Sequence, residues 1–443
     1  MTAFITIIVT IALFIFSGFI PGPREWWRSV FRQPFIASII LLCIISVFLG
    51  NPQNIKIGSE NTIDAVRFAR IVLLCSLSCL ALITISFYRN PSPMGWGIKF
   101  MALYALTAMG SCFYSPFPLL SLWKGMEILA LTITGMMIAV MLKEREAIQD
   151  ILNTLYLACW YFVLSSLVGA LFQPAQAFPK MKLNDSMAFA LAGIYPYVNP
   201  NTLSQLSSIV CVISLIWILN KNSNVRSIGH LPVFLLSFGC LLLSHSRTSI
   251  AAMLLVCLLI LFYYQKIWAF LILLWFGILF GVSGLMANYF MPYILRGQTH
   301  KAFATMTGRM TFWPEVMELI KKAPFLGHGF YASQRVTWHV SSVDNMYLEV
   351  LLGVGFIGLS IFLLPVFSVY RNLWKIRPWK FRERADAMER FLWIQLSSMF
   401  IIIVIRSFTG PSFQNLHINL VIFIILVISA YRLQSLQQVH EHS

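Results

Sequence analysis

Long apolar runs separated by short polar loops dominate the sequence and limit what this chain can fold into. A helix needs about 20 mostly apolar residues to cross a bilayer, and runs of this kind recur along almost the whole chain. Only 11% of the residues are charged, whereas soluble domains carry about 25%. The sequence therefore excludes an ordinary soluble globule and predicts an all-α, polytopic integral membrane protein.

Thirteen apolar runs are candidate spans, so we expect about 12–14 transmembrane helices in a single transmembrane domain over residues 1–443. The predicted spans cover residues 2–20, 34–50, 71–88, 98–114, 118–142, 151–173, 202–220, 231–246, 249–264, 268–286, 345–370, 391–408 and 417–432.

The distribution of Lys and Arg predicts how the chain is oriented. One set of loops, with the tail, holds 18 of the 32 basic residues, and its densest member is the basic loop 371–390. The positive-inside rule places this set in the cytoplasm. The long loop 287–344 then lies on the periplasmic side. In a membrane protein, the net charge of +16 indicates positive-inside loops and gives no reason to expect a nucleic-acid partner.

Fourteen basic residues remain on the predicted periplasmic side, where Arg suits an anionic ligand. Arg247 is the clearest, because SHSRTS at 244–249 lies between two apolar runs. Arg at bilayer depth costs about 2.5–3.5 kcal/mol on insertion scales and usually serves a site. A snorkelling Arg in a tight turn is the alternative. Lys124 and Arg406 belong to the same set. We expect Lys124 to pair with Glu127 inside a span.

The long loop contains a predicted amphipathic helix within residues 307–330, lying on the outer membrane surface. Thr311 is the expected N-cap, and an apolar stripe includes Val316 and Ile320. Arg309 precedes this helix. A solvated loop charge is its default role.

Polar residues at the starts of two spans are further candidates. Asp344 could be a general base or a helix cap, which is the commoner role for an Asp before a helix. Asn345 follows it, and His339 is the histidine best placed for chemistry. Asn201 belongs to NPNTLSQL at 199–206, where amides and hydroxyls open a span. The Cys and His spacings fit no metal site, and no Gly-rich phosphate loop occurs.

Four segments together resemble one family. They are NPN at 199–201, SHSRTS at 244–249, GRMTFWPEVMELIKKAPFLGHG at 308–329 and DNMYLEVLLGVGFIG at 344–358. In this order, and with the long external loop, they are similar to the O-antigen ligase and Wzy-type polysaccharide polymerase family of bacterial envelope glycosyltransferases. The likeness covers most of residues 115–365.

The resemblance implies a GT-C-like enzyme of the bacterial inner membrane whose active site faces the periplasm. Such enzymes transfer a glycan from undecaprenyl diphosphate to an acceptor hydroxyl and need no metal or other cofactor. Arg247 and Arg309 would bind the diphosphate. Further substrate-binding candidates are Asn345, Asn201, Lys124 and Arg406.

One departure from the family motif favours a polymerase. Ligases have a His, the proposed base, where this chain has Asp344; the following Asn345, nine residues, Gly355 and Gly358 fit the motif. Asp344, or His339 by rearrangement, would then accept the proton. A chain-length regulator protein is an expected partner by resemblance. The alternatives are an O-antigen ligase acting on lipid A–core and a lipid-linked glycan flippase.

Overall fold

A computed structural model gives the conformation of most of the chain. It describes residues 2–20, 23–30, 32–33, 35–48, 65–88, 92–183, 186–220, 228–264, 268, 271, 295, 309–331, 343–376, 387–410 and 417–442.

Within these residues the chain is mainly helical. The helices are α1 (Thr2–Ser17), α2 (Pro23–Val30), α3 (Ile36–Phe48), α4 (Ala65–Phe87), α5 (Trp96–Gly110), α6 (Pro118–Met141), α7 (Arg145–Phe172), α8 (Pro174–Ala177), α9 (Pro200–Leu219), α10 (His230–Leu243), α11 (Arg247–Tyr263), α12 (Arg309–Lys322), α13 (Met346–Ile376), α14 (Ala387–Ser407) and α15 (Ile418–His442). A 3-10 turn covers Ser111–Phe113.

Two short antiparallel hairpins lie between α8 and α9. They pair β1 (Lys180–Leu183) with β2 (Ser186–Phe189) and β3 (Gly193–Ile194) with β4 (Tyr197–Val198). The sequence did not predict them, because strands of two to four residues are too short to produce a period-two hydrophobic pattern.

The predicted membrane architecture is confirmed. Seven described helices are long and apolar enough to cross a membrane, namely α4, α6, α7, α9, α13, α14 and α15. Four shorter apolar helices, α1, α3, α10 and α11, and the helix α5 occupy further predicted spans. The predicted span 268–286 lies outside the described residues, apart from two isolated positions.

The chain forms two compact units. The first contains residues 1–28 and 156–312, and the second contains residues 29–155 and 313–443.

Helix α9 forms the core of the first unit and packs against α10 and α11. Fifteen of its 20 residues are buried, including several serines and Gln205. At the other end of α10 from Arg247, the His230 ring lies between two tryptophans, with centroids 5.4 Å from Trp26 and 5.2 Å from Trp217. This unit therefore buries polar and aromatic groups together with aliphatic ones.

In the second unit, α5, α6, α13 and α15 pack against one another. Contacts between helix ends establish which ends lie together. At one end Arg145 of α7 pairs with Glu389 of α14 at 3.3 Å. At the opposite end the ring of Tyr347 at the start of α13 lies 4.9 Å from that of Phe408 after α14. We call this second end, which also contains the starts of α4, α6 and α15, the site end.

Helix α13 is interrupted near the site end, at Gly355 (φ 67°, ψ −169°). A break inside a helix leaves main-chain groups on both sides without intrahelical partners. Residues 324–329, which we call the docking segment, provide those partners. Four hydrogen bonds join them: His328 N–H to Leu352 C=O (2.9 Å), Gly329 N–H to Gly353 C=O (2.8 Å), Phe356 N–H to Pro324 C=O (2.8 Å) and Ile357 N–H to Phe325 C=O (3.2 Å).

Two glycines make this close approach feasible. A Cβ on Gly355 would overlap the carbonyl of Phe325, and one on Gly327 would come within 2.6 Å of the Gly353 carbonyl carbon. Both glycines also have positive φ, a conformation that side chains rarely adopt. Gly355, which fits the family motif, therefore serves main-chain packing.

The amphipathic helix predicted in the long loop is confirmed as α12, which buries Val316 and Ile320. The prediction that Thr311 caps it was wrong, because the helix begins two residues earlier, at Arg309. Cap propensity is a weak signal that tertiary contacts can override. At the other end, His328 Nε2 donates to the carbonyl of Leu319 at 2.9 Å. It thereby satisfies one of the last helical carbonyls.

We expect Gly355→Ala to destabilise the second unit by about 1–3 kcal/mol, because the new Cβ meets the docking segment in a conformation that alanine avoids. Thermal unfolding of the purified protein in detergent measures this loss. Gly110→Ala is the matched control, since Gly110 is helical (φ −59°) and an added Cβ there has nothing within 4 Å. Equal melting temperatures for the two variants would contradict the role of the break.

Candidate functional site

In the first unit, the SHSRTS segment forms the turn between α10 and α11. The hydroxyl of Ser244 donates to the carbonyl of Leu241 at 2.8 Å, and Ser246 is the N-cap residue of α11. His245 has a positive φ of 54°, which permits the sharp reversal. The N–H of Leu191 donates to the carbonyl of Leu243 at 2.9 Å. These two bonds hold the α10 side of the turn.

Arg247 is the first residue of α11 and is half-buried. Its Nη2 donates to the carbonyl of Leu295 at 3.4 Å. A helix N-terminus carries partial positive charge, and the guanidinium adds a full one. The buried hydroxyls of Ser246 and Ser249 lie 3.2 Å apart in the same turn. This local chemistry suits an anion with several oxygen acceptors.

Asn201 is exposed in the first turn of α9. The cap of that helix is Asn199, whose Oδ1 accepts from the N–H of Thr202 at 2.8 Å. The Asn201 amide is therefore not needed to cap α9.

At the site end of the second unit, the carboxylate of Glu127 holds two cations. Glu127 is only 1% exposed, and it pairs with Arg70 at 2.7 Å and with Lys124 at 3.0 Å. The expected pair of Lys124 and Glu127 is present. The sequence did not indicate Arg70 as the partner, because α4 and α6 meet only in the folded chain.

Lys124 also contacts the segment that follows the docking segment. Its ammonium lies 5.0 Å from the centroid of the Tyr331 ring, within the range of a cation–π interaction. Tyr331 has a positive φ of 63°. The Ser121 hydroxyl donates to the carbonyl of Phe330 at 2.8 Å. Lys124 is therefore partly committed to Glu127 and to this loop.

Asp344 and Asn345 have different roles at the start of α13. Asn345 is the cap, because its Oδ1 accepts from the N–H groups of Tyr347 and Leu348 at 3.0 and 3.1 Å. The alternative that Asp344 caps this helix was therefore wrong. Asp344 is half-buried with a positive φ of 52°, a conformation that Asp tolerates better than most residues. Its proposed role as a base stays a prediction.

Glu349 is a charged residue that the sequence analysis missed. Its side chain is fully buried, and its Oε2 accepts from the N–H of Val343 at 3.1 Å. The sequence signal that could have identified Glu349 is a carboxylate one turn after Asn345, inside an otherwise apolar run. Its hydrogen bond fixes the backbone immediately before Asp344.

Arg406 and His417 complete the site end. Arg406 is buried at the end of α14, where its Nη1 donates to the hydroxyl of Thr409 at 2.6 Å. A Cβ on Gly410 would lie 3.0 Å from both terminal nitrogens, so glycine leaves room for the guanidinium. His417 directly precedes α15, and its Nδ1 accepts from the N–H of Asn419 at 3.4 Å. Only a neutral imidazole can accept this bond.

The side chains of two predicted site residues lie outside the described part of the structure. Arg309 is placed only as the first residue of α12, and His339 lies outside the described residues. Their assigned roles stay predictions.

We expect Glu127→Gln to destabilise the protein by about 3–5 kcal/mol, because it leaves the buried Arg70 and the partly buried Lys124 without their carboxylate. The control is Glu318→Gln, since the pair of Glu318 with Lys321 is exposed and such pairs contribute little. Thermal unfolding of both variants compares the loss of stability caused by Glu127→Gln with that caused by Glu318→Gln. A melting temperature for Glu127→Gln within error of the control would refute this role for the pair.

We expect His417 to make stability depend on pH. Burial, and then the charge of Arg406, lower the pKa of His417 to about 4 from its ordinary value of 6.5. On acidification the unfolded chain takes up the proton first. Stability is therefore complete above pH 6.5 and falls as the pH drops towards 4. Melting temperatures from pH 7.5 to 5 should fall less for His417→Asn than for the wild type; parallel curves would refute this assignment.

The comparisons with known proteins concern the part of the chain that carries the Arg247 turn, α12 and the start of α13. Residues 232–363 match a family model described as O-antigen ligase. No curated protein matches the chain. Residues 232–363 of this multi-pass membrane protein are therefore similar to the O-antigen ligase family.

Proposed function

We propose that this protein is a polysaccharide polymerase of the bacterial inner membrane. It transfers a glycan from undecaprenyl diphosphate to the hydroxyl of another lipid-linked repeat unit, at the periplasmic face. The observation that carries the proposal is Arg247 at the first position of α11, inside the region that is similar to the O-antigen ligase family. The chain-length regulator partner and the orientation in the membrane belong to the same proposal.

Arg247 would bind the diphosphate of the donor. Its half-buried guanidinium and the N-terminal dipole of α11 both favour negative charge. Charge accumulates on the leaving diphosphate as the glycosidic bond breaks, so a fixed cation stabilises the transition state more than the ground state. Arg309, Lys124, Arg406, Asn201 and Asn345 are further predicted contacts for the donor or acceptor.

Asp344 would be the general base, with His339 as the alternative. The acceptor hydroxyl oxygen attacks the anomeric carbon, and the bond from that carbon to the diphosphate oxygen breaks. The diphosphate leaves with the electron pair, and the hydroxyl proton passes to the base. Direct attack inverts the configuration at the anomeric carbon. The energy comes from the donor bond, so the reaction needs no nucleotide and, in our proposal, no metal.

The second candidate is an O-antigen ligase that transfers the glycan to lipid A–core. The description of the matching family favours it. Asp344, at the position where ligases of the family have His, favours the polymerase. The two reactions share the donor and differ in the acceptor, so the acceptor decides between them.

We expect purified protein to convert undecaprenyl-diphosphate-linked repeat units into a ladder of longer lipid-linked glycans, without metal or nucleotide. Arg247→Ala should lower the rate by about 10²–10³-fold, the loss typical of removing a transition-state donor, and Arg247→Lys by less. Gel electrophoresis of the products gives the rates. Arg371→Ala is the matched control, because Arg371 is exposed and lies in the last turns of α13, away from the site end.

Asp344→Asn tests the base without adding backbone strain, since Asn also tolerates positive φ. We expect it to lower kcat while leaving KM nearly unchanged. Transfer only after lipid A–core is added would establish the ligase instead. Failure to transfer to either acceptor, with folded protein, would reject both candidates. Retained anomeric configuration in the product would reject direct displacement.

A further inference from the structure

The docking segment presents two large apolar side chains outward at the site end. Residues 323–327 read APFLG and contain no polar side chain. Phe325 is 67% exposed and Leu326 is 52% exposed. Adjacent large apolar residues at the tip of a loop are unfavourable in water, and an exposed apolar surface of this kind marks contact with a protein or with a membrane.

This apolar surface continues onto the elements that the docking segment contacts. Phe356 and Ile357, whose N–H groups donate to carbonyls of the segment, are about half exposed on the candidate span α13. Phe113, in the 3-10 turn beside the segment, is almost fully exposed. The exposed apolar side chains of a membrane span contact lipid acyl chains. The tip of the docking segment therefore extends the lipid-facing surface of α13.

The carbonyls at the tip of the docking segment accept hydrogen bonds from the protein. Those of Pro324 and Phe325 accept from α13, as described above. The carbonyl of Leu326 accepts from the Tyr114 hydroxyl at 2.6 Å. A loop in water does not need such partners, because water supplies them. Irregular backbone is tolerated at bilayer depth only where the protein supplies its partners, and the tip meets that condition for these carbonyls.

The charges of α12 end where the apolar tip begins. Lys321 and Lys322 are exposed in the last turn of that helix, and Lys321 pairs with the exposed Glu318 at 2.7 Å. Lysine side chains extend towards lipid headgroups when the adjacent residues contact acyl chains. Tyr114, which is exposed, is of a type enriched at the same boundary. The sequence of charged, then aromatic and apolar groups thus matches the change from headgroups to acyl chains.

We propose that the tip of the docking segment, Phe325 and Leu326, is inserted among the acyl chains of the bilayer phospholipids, just below the headgroups. In the orientation given above for the proposed function, this is the outer leaflet. Insertion would fix the depth of the docking segment and, through its hydrogen bonds to α13, the depth of the start of that helix. If the proposed function holds, Asp344 is then kept near the headgroup level, where the diphosphate of a lipid-linked donor lies.

The test replaces Phe325 with the photo-crosslinking amino acid p-benzoylphenylalanine, which is also large and apolar. The purified protein is reconstituted into vesicles of phosphatidylethanolamine and phosphatidylglycerol and irradiated, and mass spectrometry of the labelled peptide identifies what the benzophenone has bonded to. The same amino acid in place of Glu318 is the matched control, because Glu318 is exposed among the charges of α12. We expect phospholipid acyl adducts at position 325 and few or none at position 318.

Four results would overturn the proposal. Adducts at position 325 with this chain or with a second copy would mean that protein covers the tip. No adduct there would mean that the tip faces water. Equal lipid adducts at both positions would mean unspecific contact with the vesicle surface. Replacement of phospholipid by undecaprenyl phosphate, when that lipid is added as a minor component, would mean a binding groove for the carrier.

If the variant at position 325 is not monodisperse, position 326 takes its place, because Leu326 belongs to the same exposed tip. The vesicles contain no glycan donor, and the adducts form without glycan transfer. Failure of the proposed function and failure of membrane insertion are therefore distinguishable.

Discussion

The main-chain hydrogen bonds at the break in α13 are the constraint on which the site end depends. In a bilayer, every backbone polar group needs a partner from the protein itself or from a water-filled cavity. The docking segment supplies those partners to α13. Its position also fixes the path of the loop residues that follow it. The N–H of Phe330 then donates to the hydroxyl oxygen of Ser111 at 2.8 Å, and the ring of Tyr331 contacts the Lys124 ammonium. The need to pair the backbone groups of α13 thus positions side chains from the 3-10 turn, from α6 and from the long loop.

Buried charges at the site end are arranged so that each is held by a specific neighbour. Glu127 holds Arg70 and Lys124, Glu349 holds the backbone before Asp344, and Arg406 lies against Thr409. Charges at this depth are costly unless they are paired or hydrogen-bonded. Their cost is expected where a membrane protein handles a charged substrate. The polar groups at the site end therefore form a fixed scaffold beside Asp344.

The sequence predicted those features that depend on neighbours along the chain. Apolar periodicity gave the spans and α12, and the spacing of one turn gave the pair of Lys124 with Glu127. Features that depend on distant segments were not predictable in this way. Arg70 joins Glu127 across two helices, and the docking segment meets Gly355 from about thirty residues away. The cap was misassigned because Asp344 and Asn345 are adjacent and both are good caps. The hydrogen bonds that Asn345 Oδ1 accepts in the folded chain distinguish them.

The interval between Asn345 and Gly355 has a consequence that sequence comparison alone does not explain. Ten residues of α-helix span about 15 Å and close to three turns. This stretch of helix therefore has a fixed length, and hydrogen bonds hold each of its ends. The Asn345 cap sets where the helix begins, and the docking segment sets where it breaks. Inserting one residue would turn the capped end by about 100° relative to the loop. Insertions and deletions should therefore be excluded from this interval even where single side chains are free to vary.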